Sequence, residues 1–545
     1  MADFGYWALV PPLIAIGAAI VTRKVYLSLG LGILAGAIIF AVGQGSVGSF
    51  PLVFAEWTVT ALATNIQVVV FTLVLGWLIA LMQQSGGMKG FAVWAMQRAD
   101  SPRKALGLAW FLGVFIVFID DYFDTITVGT VMRPITDKQN VSREKLSYLV
   151  DTTAAPVAII APVSTWVGVI VGYIALQATY LTDTAFMTFL KSIPLNFYSF
   201  MAIFWALFIV VTMADYGPMK AAEARSYNTG ALLRPGAKPL QAKDLDALGD
   251  DTDAPPRTAN LVLPILTLVL VAVVSMWGTG YVALQADGVA DPGIGAAIRN
   301  ADSLQALVIA SLVAVAFAAL YYLYQRIVTV EQVFVAMEVG FKAMLPAVVV
   351  LGLAWTIGEA IGALGLGETM AELVTANIPL ALVPPLVFLL GAFTAFATGT
   401  SFGTFAIMLP IAIPVAAGID PALVPLMVAA TVGGAVFGDH ASPISDTTVL
   451  SSMASACDHV DHVRTQLPYA GAAALLAVLG YTLFGAMFAY GGEVLLSGAV
   501  AWGAMVVMMA LFFATLLVLR RRGSRLVADI PEAGPGPEPD PVAVK

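Results

Sequence analysis

The sequence predicts an all-α polytopic membrane protein of about 11–13 transmembrane helices, built as two inverted repeats with re-entrant hairpins and broken helices. Three observations lead there. Hydrophobic residues make up 59% of the 545 residues and charged residues 11%, with a mean hydropathy of +0.89, far from the soluble balance of roughly half apolar and a quarter charged. Apolar runs of roughly 17 to 25 residues recur, each long enough to cross ~30 Å of hydrocarbon as a helix. Short segments of the first half also return in the second half, in the same order.

The N-terminus, Met1-Ala-Asp-Phe4, lacks a basic region, so the first run, Tyr6 to Val21, reads as a retained helix rather than a cleaved signal. Arg23 and Lys24 close it, which puts the N-terminus outside and this turn in the cytoplasm. Val25 to Val42 leads out, and Ile66 to Met82 returns to Lys89, Arg98, Arg103 and Lys104. After the Asn196 to Met213 span, the polar loop 215–258 holds Lys220, Arg225, Arg234, Lys238, Lys243 and Arg257 among its acids and reads as cytoplasmic. The last span, Leu495 to Leu519, ends in Arg520-Arg-Arg522 and Arg525, so the C-terminus is also inside.

The organisation that follows is an N-terminal helix (1–24), a first repeat (25–214), the cytoplasmic loop (215–258) and a linking helix with an external loop (259–302). A second repeat (303–490), a last helix (491–522) and a Pro/Gly/Glu-rich tail (523–545) that reads as disordered complete it. The net charge of −9 concentrates no acidic block beyond 244–253 and the tail, so it names no partner and no nucleic acid. Cys457 is the single cysteine, which excludes an internal disulfide.

Three pairs of segments carry the repeat. Val70-Phe-Thr-Leu-Val-Leu-Gly-Trp77 resembles Val348-Val-Val-Leu-Gly-Leu-Ala-Trp355. Asp124-Thr-Ile-Thr-Val-Gly-Thr-Val-Met-Arg-Pro134 resembles Thr400-Ser-Phe-Gly-Thr-Phe-Ala-Ile-Met-Leu-Pro410, and Ala161-Pro-Val-Ser164 resembles Ser442-Pro-Ile-Ser445. The offsets are nearly constant. Basic residues place the Trp77 run out-to-in and the Trp355 run in-to-out, so the repeats are inverted, a common construction of secondary transporters whose sites lie where discontinuous helices meet.

Two breaks are expected in each half. Phe118-Ile-Asp-Asp-Tyr-Phe-Asp124 and Ala397-Thr-Gly-Thr-Ser-Phe-Gly-Thr404 are hydroxyl- or carboxyl-rich and poor in helix formers, and each reads as the tip of a re-entrant hairpin. Asp151-Thr-Thr-Ala-Ala-Pro156 with Pro162, and the stretch around Pro443, read as helix breaks, because proline lacks a donor and clashes with the carbonyl four residues earlier. Hard monovalent cations want carboxylate, hydroxyl and carbonyl oxygens, which these breaks supply; no transition-metal site is expected.

At these residues a family resemblance emerges. Gly438-Asp-His-Ala-Ser-Pro-Ile-Ser-Asp-Thr-Thr448, followed by Cys457-Asp-His-Val-Asp-His462, closely resembles the signature of the NhaC-type sodium/proton antiporters of the ion-transporter superfamily. The likeness extends through Asp120-Asp121 and Asp151-Thr152-Thr153 and spans roughly residues 5 to 490; Ala441 departs from it, where many relatives have a cysteine or another small residue. The resemblance implies a non-enzymatic carrier in a bacterial inner (plasma) membrane that exchanges cytoplasmic sodium or lithium for external protons, without a cofactor. Some relatives exchange organic acids such as malate and lactate, so an organic-acid exchanger is the alternative. An ion channel and an intramembrane aspartyl protease are the remote ones. The partners are then the small ions and membrane lipid, with a homodimer expected by analogy.

A buried aspartate whose ionised form is disfavoured is protonated when empty and yields its proton to a cation, so one carboxylate can couple the two. The cation- and proton-binding residues are expected to be Asp439 and Asp446, then Asp124 and Asp151, with Ser442, Ser445, Thr447, Thr125, Ser401 and Thr404 as oxygen ligands. His440 is a pH-sensing or carboxylate-orienting group, and Glu359 is a gate or a snorkelling structural carboxylate. Asp120 and Asp121 either cap a helix or gate the site. Asp137, Lys138, Arg143, Glu144 and Lys145 read as a solvated loop, and Asp458, His459, Asp461, His462 and Arg464 as an interfacial salt-bridge cluster.

Overall fold

The computed structural model describes residues 4–22, 24–239, 254–286, 288–289, 292–366, 369, 378–443, 445–491 and a few positions between 503 and 529. The predicted last helix at 491–522 and the tail fall almost entirely outside the described residues. In chain order the first helices are α1 (Val10–Thr22), α2 (Val25–Gly43), α3 (Phe50–Thr64), α4 (Ile66–Gln83), α5 (Gly87–Met96), α6 (Pro102–Phe111), α7 (Asp121–Lys138), α8 (Arg143–Ala158) and α9 (Thr165–Ala175). Next come α10 (Ala185–Ser192), α11 (Phe197–Thr212), α12 (Gly217–Thr229), α13 (Ala259–Ala286), α14 (Ile294–Arg299), α15 (Ser303–Tyr324) and α16 (Val330–Ala363). The chain continues as α17 (Val383–Thr398), α18 (Ser401–Ile419), α19 (Val424–Ala441), α20 (Asp446–Ala454) and α21 (His459–Gly491). Among the described residues the one β pairing is a two-residue antiparallel bridge, Ala214–Asp215 with Ala528–Asp529.

Nine of the described helices are long and apolar enough to cross a membrane, or ten when α10 and α11, bent by 46° at Asn196, count as one span. The protein is a multi-pass membrane protein. The expected 11–13 includes the last helix, which lies almost entirely outside the described residues.

The segments around Trp77 and Trp355 lie on α4 and α16, which cross at glycines. A Cβ on Gly76 would stand 2.5 Å from Gly340 O, and one on Gly340 would stand 2.3 Å from Gly76 O. Trp77 Nε1 donates to Val333 O at 3.0 Å, while Gly352 faces Leu62 of α3. Partners thus fall along α16 as they rise along α3 and α4, so the pairing is antiparallel and α3 continues the path of α4 past Asn65.

Two helical hairpins reach into the molecule. In the first, α6 runs into a π turn at Leu112–Ile116, the chain breaks, and α7 returns; Gln139 Nε2 donates to Ala99 O at 2.9 Å and ties its base. In the second, α17 ends at Gly399 and α18 returns, with Gly399 in the left-handed region at φ +70. Gly434 and Gly438 of α19 let α17 lie alongside, since a Cβ there would come within 2.2 Å of Phe388 O and 2.0 Å of Ala392 O.

The 33-residue α21 is the measure of the fold. It starts beside Arg234, which grips Asp461, and beside Ala456, whose carbonyl accepts from Arg143 just past the base of the first hairpin. Gly485 then packs on Ala381, directly before α17 at the base of the second hairpin. Asp461 and Gly485 are about 36 Å apart along a helix, so the two hairpins enter from opposite ends of α21.

The α12 end is sealed by charge. Lys145, 1% exposed, places Nζ 2.6 Å from Asp215 Oδ2 and 3.4 Å from Glu223 Oε2. Glu223 accepts from Ser142 N, Tyr469 OH donates to Asp215, and Arg225 Nη2 donates to both oxygens of Glu144 at 2.9 Å. The solvated-loop expectation for Glu144 and Lys145 is therefore wrong. These two residues open α8 and are buried under α12, where each finds a partner of opposite sign. Asp137 and Arg143 do pair at 3.1 Å near the surface.

Candidate functional site: four helix starts around a carboxylate cluster

Breaking a helix inside protein leaves its first N–H groups without intrahelical partners, and Ser, Thr and Asp supply the side-chain oxygen that caps them. All four breaks use one. Asp120 Oδ1 accepts from Phe123 N at the start of α7 (2.9 Å) and Ser164 Oγ from Val167 N at α9 (3.2 Å). Thr400 Oγ1 accepts from Gly403 N at α18 (3.4 Å), and Ser445 Oγ from Thr448 N at α20 (3.2 Å).

The four starts converge. Thr165 Oγ1 donates to Asp120 Oδ2 at 2.9 Å and Trp166 Nε1 to Asp121 Oδ1 at 2.8 Å, which joins α9 to α7. The Trp166 ring lies 4.8 Å from that of Phe402, which joins α9 to α18. Ser401 Oγ donates to Asp439 Oδ2 at 2.8 Å, which joins α18 to α19, and Tyr122 OH donates to Asp446 Oδ2, which joins α7 to α20. Each start is the positive end of a helix dipole. Asp121 and Asp446 occupy first turns, where negative charge is favoured, whereas Asp439 sits in the last turn of α19, where it is opposed.

Asp121, Asp124 and Asp439 are 1–2% exposed. Asp446 is closely surrounded yet keeps an accessible surface, as a group lining a crevice does. No protein donor reaches Asp121 Oδ2, either oxygen of Asp124, Asp439 Oδ1 or Thr125 Oγ1. Gly113, in the π turn, leaves the room beside Asp124: a Cβ there would stand 2.4 Å from Thr153 Oγ1 and 3.2 Å from Asp124 Oδ1. Thr153 gives its hydrogen to Leu149 O (3.0 Å), so its lone pairs face the same spot.

Asp151 belongs to a different cluster. Its Oδ2 receives Gln466 Nε2 at 2.7 Å, His462 Nε2 at 3.2 Å and Thr448 Oγ1 at 3.3 Å, with His440 Nε2 at 3.8 Å. A carboxylate oxygen so surrounded is held by donors. His440 is 4% exposed and contacts Tyr198 OH (2.7 Å) and Thr152 Oγ1 (3.2 Å). Gln466 Nε2 also reaches His440 O, and Thr448 Oγ1 reaches Asp439 O at 3.5 Å, so this cluster adjoins the central one.

The hydroxyls expected as ligands divide in the same way. Ser401 touches Asp439, and Thr125 keeps a buried oxygen without a hydrogen-bond partner. Ser442 instead donates to Phe396 O, Thr404 to Thr400 O, and Ser445 pairs with Thr447 at 2.9 Å while capping α20. Glu359 stands apart, half-buried on α16, where the adjoining Gly358 faces Leu176 and Gln177 at the far end of α9. Asp120 both caps α7 and joins it to α9.

Tyr122, Trp166, Thr165, Tyr198, Thr448, His462 and Gln466 join the site through contacts that residue types alone do not announce. Thr448 closes the quoted motif, and Gln466 follows His462 by one helical turn, which was the available signal. The interfacial cluster holds in part. Asp458 and Asp461 do form a charge cluster, but with Arg234 (3.8 and 2.6 Å) rather than Arg464, while His462 turns inward.

A family model described as "Na+/H+ antiporter family" matches residues 157–486, which hold both Asp439 and Asp446. The chain belongs to the Na+/H+ antiporter family. This antiporter-family chain is 38% identical over 496 residues to an "Uncharacterized protein" of Haemophilus influenzae, covering 89% of this chain and 92% of that one. It is 34% identical over 159 residues to the "Malate-2H(+)/Na(+)-lactate antiporter" of Bacillus subtilis, covering 28% and 32%. Among solved structures, the Alcanivorax borkumensis YdaH transporter matches at a TM-score of 0.48 with 16% identity, covering 78% of this chain and 88% of that one. Neisseria gonorrhoeae MtrF matches at 0.39 with 13% identity, covering 78% and 84%.

Proposed function

We propose that this secondary transporter exchanges sodium or lithium for protons, with Asp439, Asp121 and Asp124 shared between cation and proton and Asp446 holding the cation beside them. The carrying observation is the set of buried carboxylate oxygens that no protein donor reaches, gathered where four helix starts meet. A buried ionised carboxylate without a donor is costly, and either a proton or a cation relieves it. The two therefore compete for one oxygen. Asp439, at a helix C-terminus, is the natural proton carrier; Asp446, at an N-terminus with Tyr122 donating to it, is the natural standing charge.

Competition becomes exchange when the site opens to one face at a time. Hairpins entering from opposite ends of α21 and the antiparallel pairing of α4 with α16 support an inverted repeat and alternating access. With the basic residues of the α12 loop inside, sodium leaves the cytoplasm of a bacterial cell as protons enter.

The test is a reconstituted vesicle with an internal pH dye. Imposed sodium or lithium gradients should move protons, and Asp439→Asn should abolish the movement while eluting as the same monodisperse particle. Proton movement in the variant equal to the parent's would sink the assignment.

A second reading has its own observation. Four positive helix ends around one space also suit the carboxylate of an organic acid, and the Bacillus subtilis relative carries malate and lactate in its name. Vesicles in which malate or lactate gradients move protons, while sodium alone does not, would replace the first reading with this one.

A further inference from the structure

Away from the central site, α12, the start of α8 and the start of α21 enclose a cleft of about 190 Å3, lined by Glu144, Arg225, Arg234, Asp461, Arg464 and Thr465 among others. That is smaller than a drug-sized pocket and suits a compact polar headgroup. Three guanidinium groups face two carboxylates there, so the lining carries one net positive charge. Arg225 is held by Glu144 and by Ala231 O, and Arg234 by Asp461. Arg464 is exposed, and among the described residues it has neither an ion pair nor a hydrogen-bond partner.

Arg464 also lies on an outward apolar stripe, with most of the stripe beyond it toward the helix C-terminus. On α21, Val460 is 68% exposed, Leu467 46% and Leu475 63%, and Gly471 between them has no neighbour within 4 Å of a Cβ position. From Arg464 to Leu475 the helix runs about 16 Å, the depth of one leaflet of a hydrocarbon core ~30 Å thick. A phosphate diester at Arg464 would thus hang its acyl chains along Leu467 and Leu475. The planar guanidinium fork matches two phosphate oxygens at once.

We propose that this cleft binds the headgroup of an anionic phospholipid, with Arg464 as its anchor and the outer face of α21 as the bed for its chains. The bound lipid ties α12 to the starts of α8 and α21, and so steadies the helices that carry Asp151 and His462. Nothing in this depends on which ion is transported.

The experiment is native mass spectrometry of the full chain released from mixed phosphatidylglycerol and phosphatidylcholine micelles, scored for retained lipid. The parent should retain phosphatidylglycerol preferentially. Arg464→Gln should weaken that retention about tenfold, the scale of one charge-assisted contact. Arg464→Lys should fall between the two, and Arg98→Gln, outside the cleft, should leave retention unchanged. Equal retention by Arg464→Gln and parent overturns the proposal. So does protection of the detergent-purified protein against heat by inorganic phosphate that is lost in Arg464→Gln with no lipid preference in either, because the cleft would then take a soluble anion.

Discussion

The phenol of Tyr122 donates to Asp446 Oδ2, and this bond ties the tip of the first hairpin to the first turn of α20. Two elements separated by more than 300 residues thereby share one carboxylate. Tyr122→Phe removes the donor while keeping the ring. A hydrogen bond to a charged group is worth about 1.5–3 kcal/mol, so the apparent cation affinity should change by roughly tenfold or more, with a modest fall of the thermal midpoint in detergent. Unaltered transport at subsaturating sodium would show that the bond does not act on the site.

Asp151 and Asp439 should behave differently when neutralised. Asp151→Asn strands His462 and Gln466, which now donate to it, and should lower stability by about 1–3 kcal/mol besides slowing exchange. Asp439→Asn, which leaves only Ser401 to adjust, should abolish exchange at near-parental stability. Thermal unfolding of the two variants beside the vesicle assay separates a structural carboxylate from a transporting one.

Glycine crossings set a packing limit. At Gly438 a Cβ would stand 2.0 Å from a backbone carbonyl, where no rotamer change gives relief. Gly438→Val should cost about 3 kcal/mol or more and reduce folded yield, whereas Gly471→Ala, facing open space, should be neutral. Size-exclusion yield after matched expression reads both.

The Lys145 network predicts a pH dependence. Burial raises the pKa of Glu223 above its ordinary value, with Lys145 opposing. Lys145→Met removes that opposition and leaves two buried carboxylates, a loss of about 3–5 kcal/mol. A carboxyl whose folded pKa exceeds its unfolded one binds protons more tightly when folded, so stability falls as pH rises between the two values. The deficit of Lys145→Met relative to the parent should therefore shrink as pH is lowered from 8 toward 5. A deficit that grows on acidification would contradict the network.

Much of this site could be read from residue order alone. Each break carries its own punctuation: prolines at 162 and 443 just past helix ends, and Ser, Thr or Asp that start the next helix. Asp151 to Pro156, expected to break, instead stays helical within α8 because its hydrogen bonds tolerate one missing donor. Those rules are local, so residue order carries them. The partners are another matter. Arg234 grips Asp461 across 227 residues of chain, and nothing near either predicts it. Glu144 and Lys145 look like solvated charges because their counter-charges lie on α12. His462 follows Asp458 and Asp461 in sequence, but a helix turns about 100° per residue, so it faces Asp151 while those two acids face Arg234.

Cys457 lies in the short turn between α20 and α21, fully buried, with Sγ donating to Asp458 O, and burial pushes its thiol well above the usual range. The molecule therefore brings its own blank background to labelling. A maleimide added to the native protein meets no reactive thiol, so a single cysteine introduced at exposed Pro443, or at Val460 on the outer face of α21, becomes the sole reporter without first removing a native residue. Fluorophores or spin labels placed in this way report on the crevice at Asp446 in an otherwise unaltered transporter.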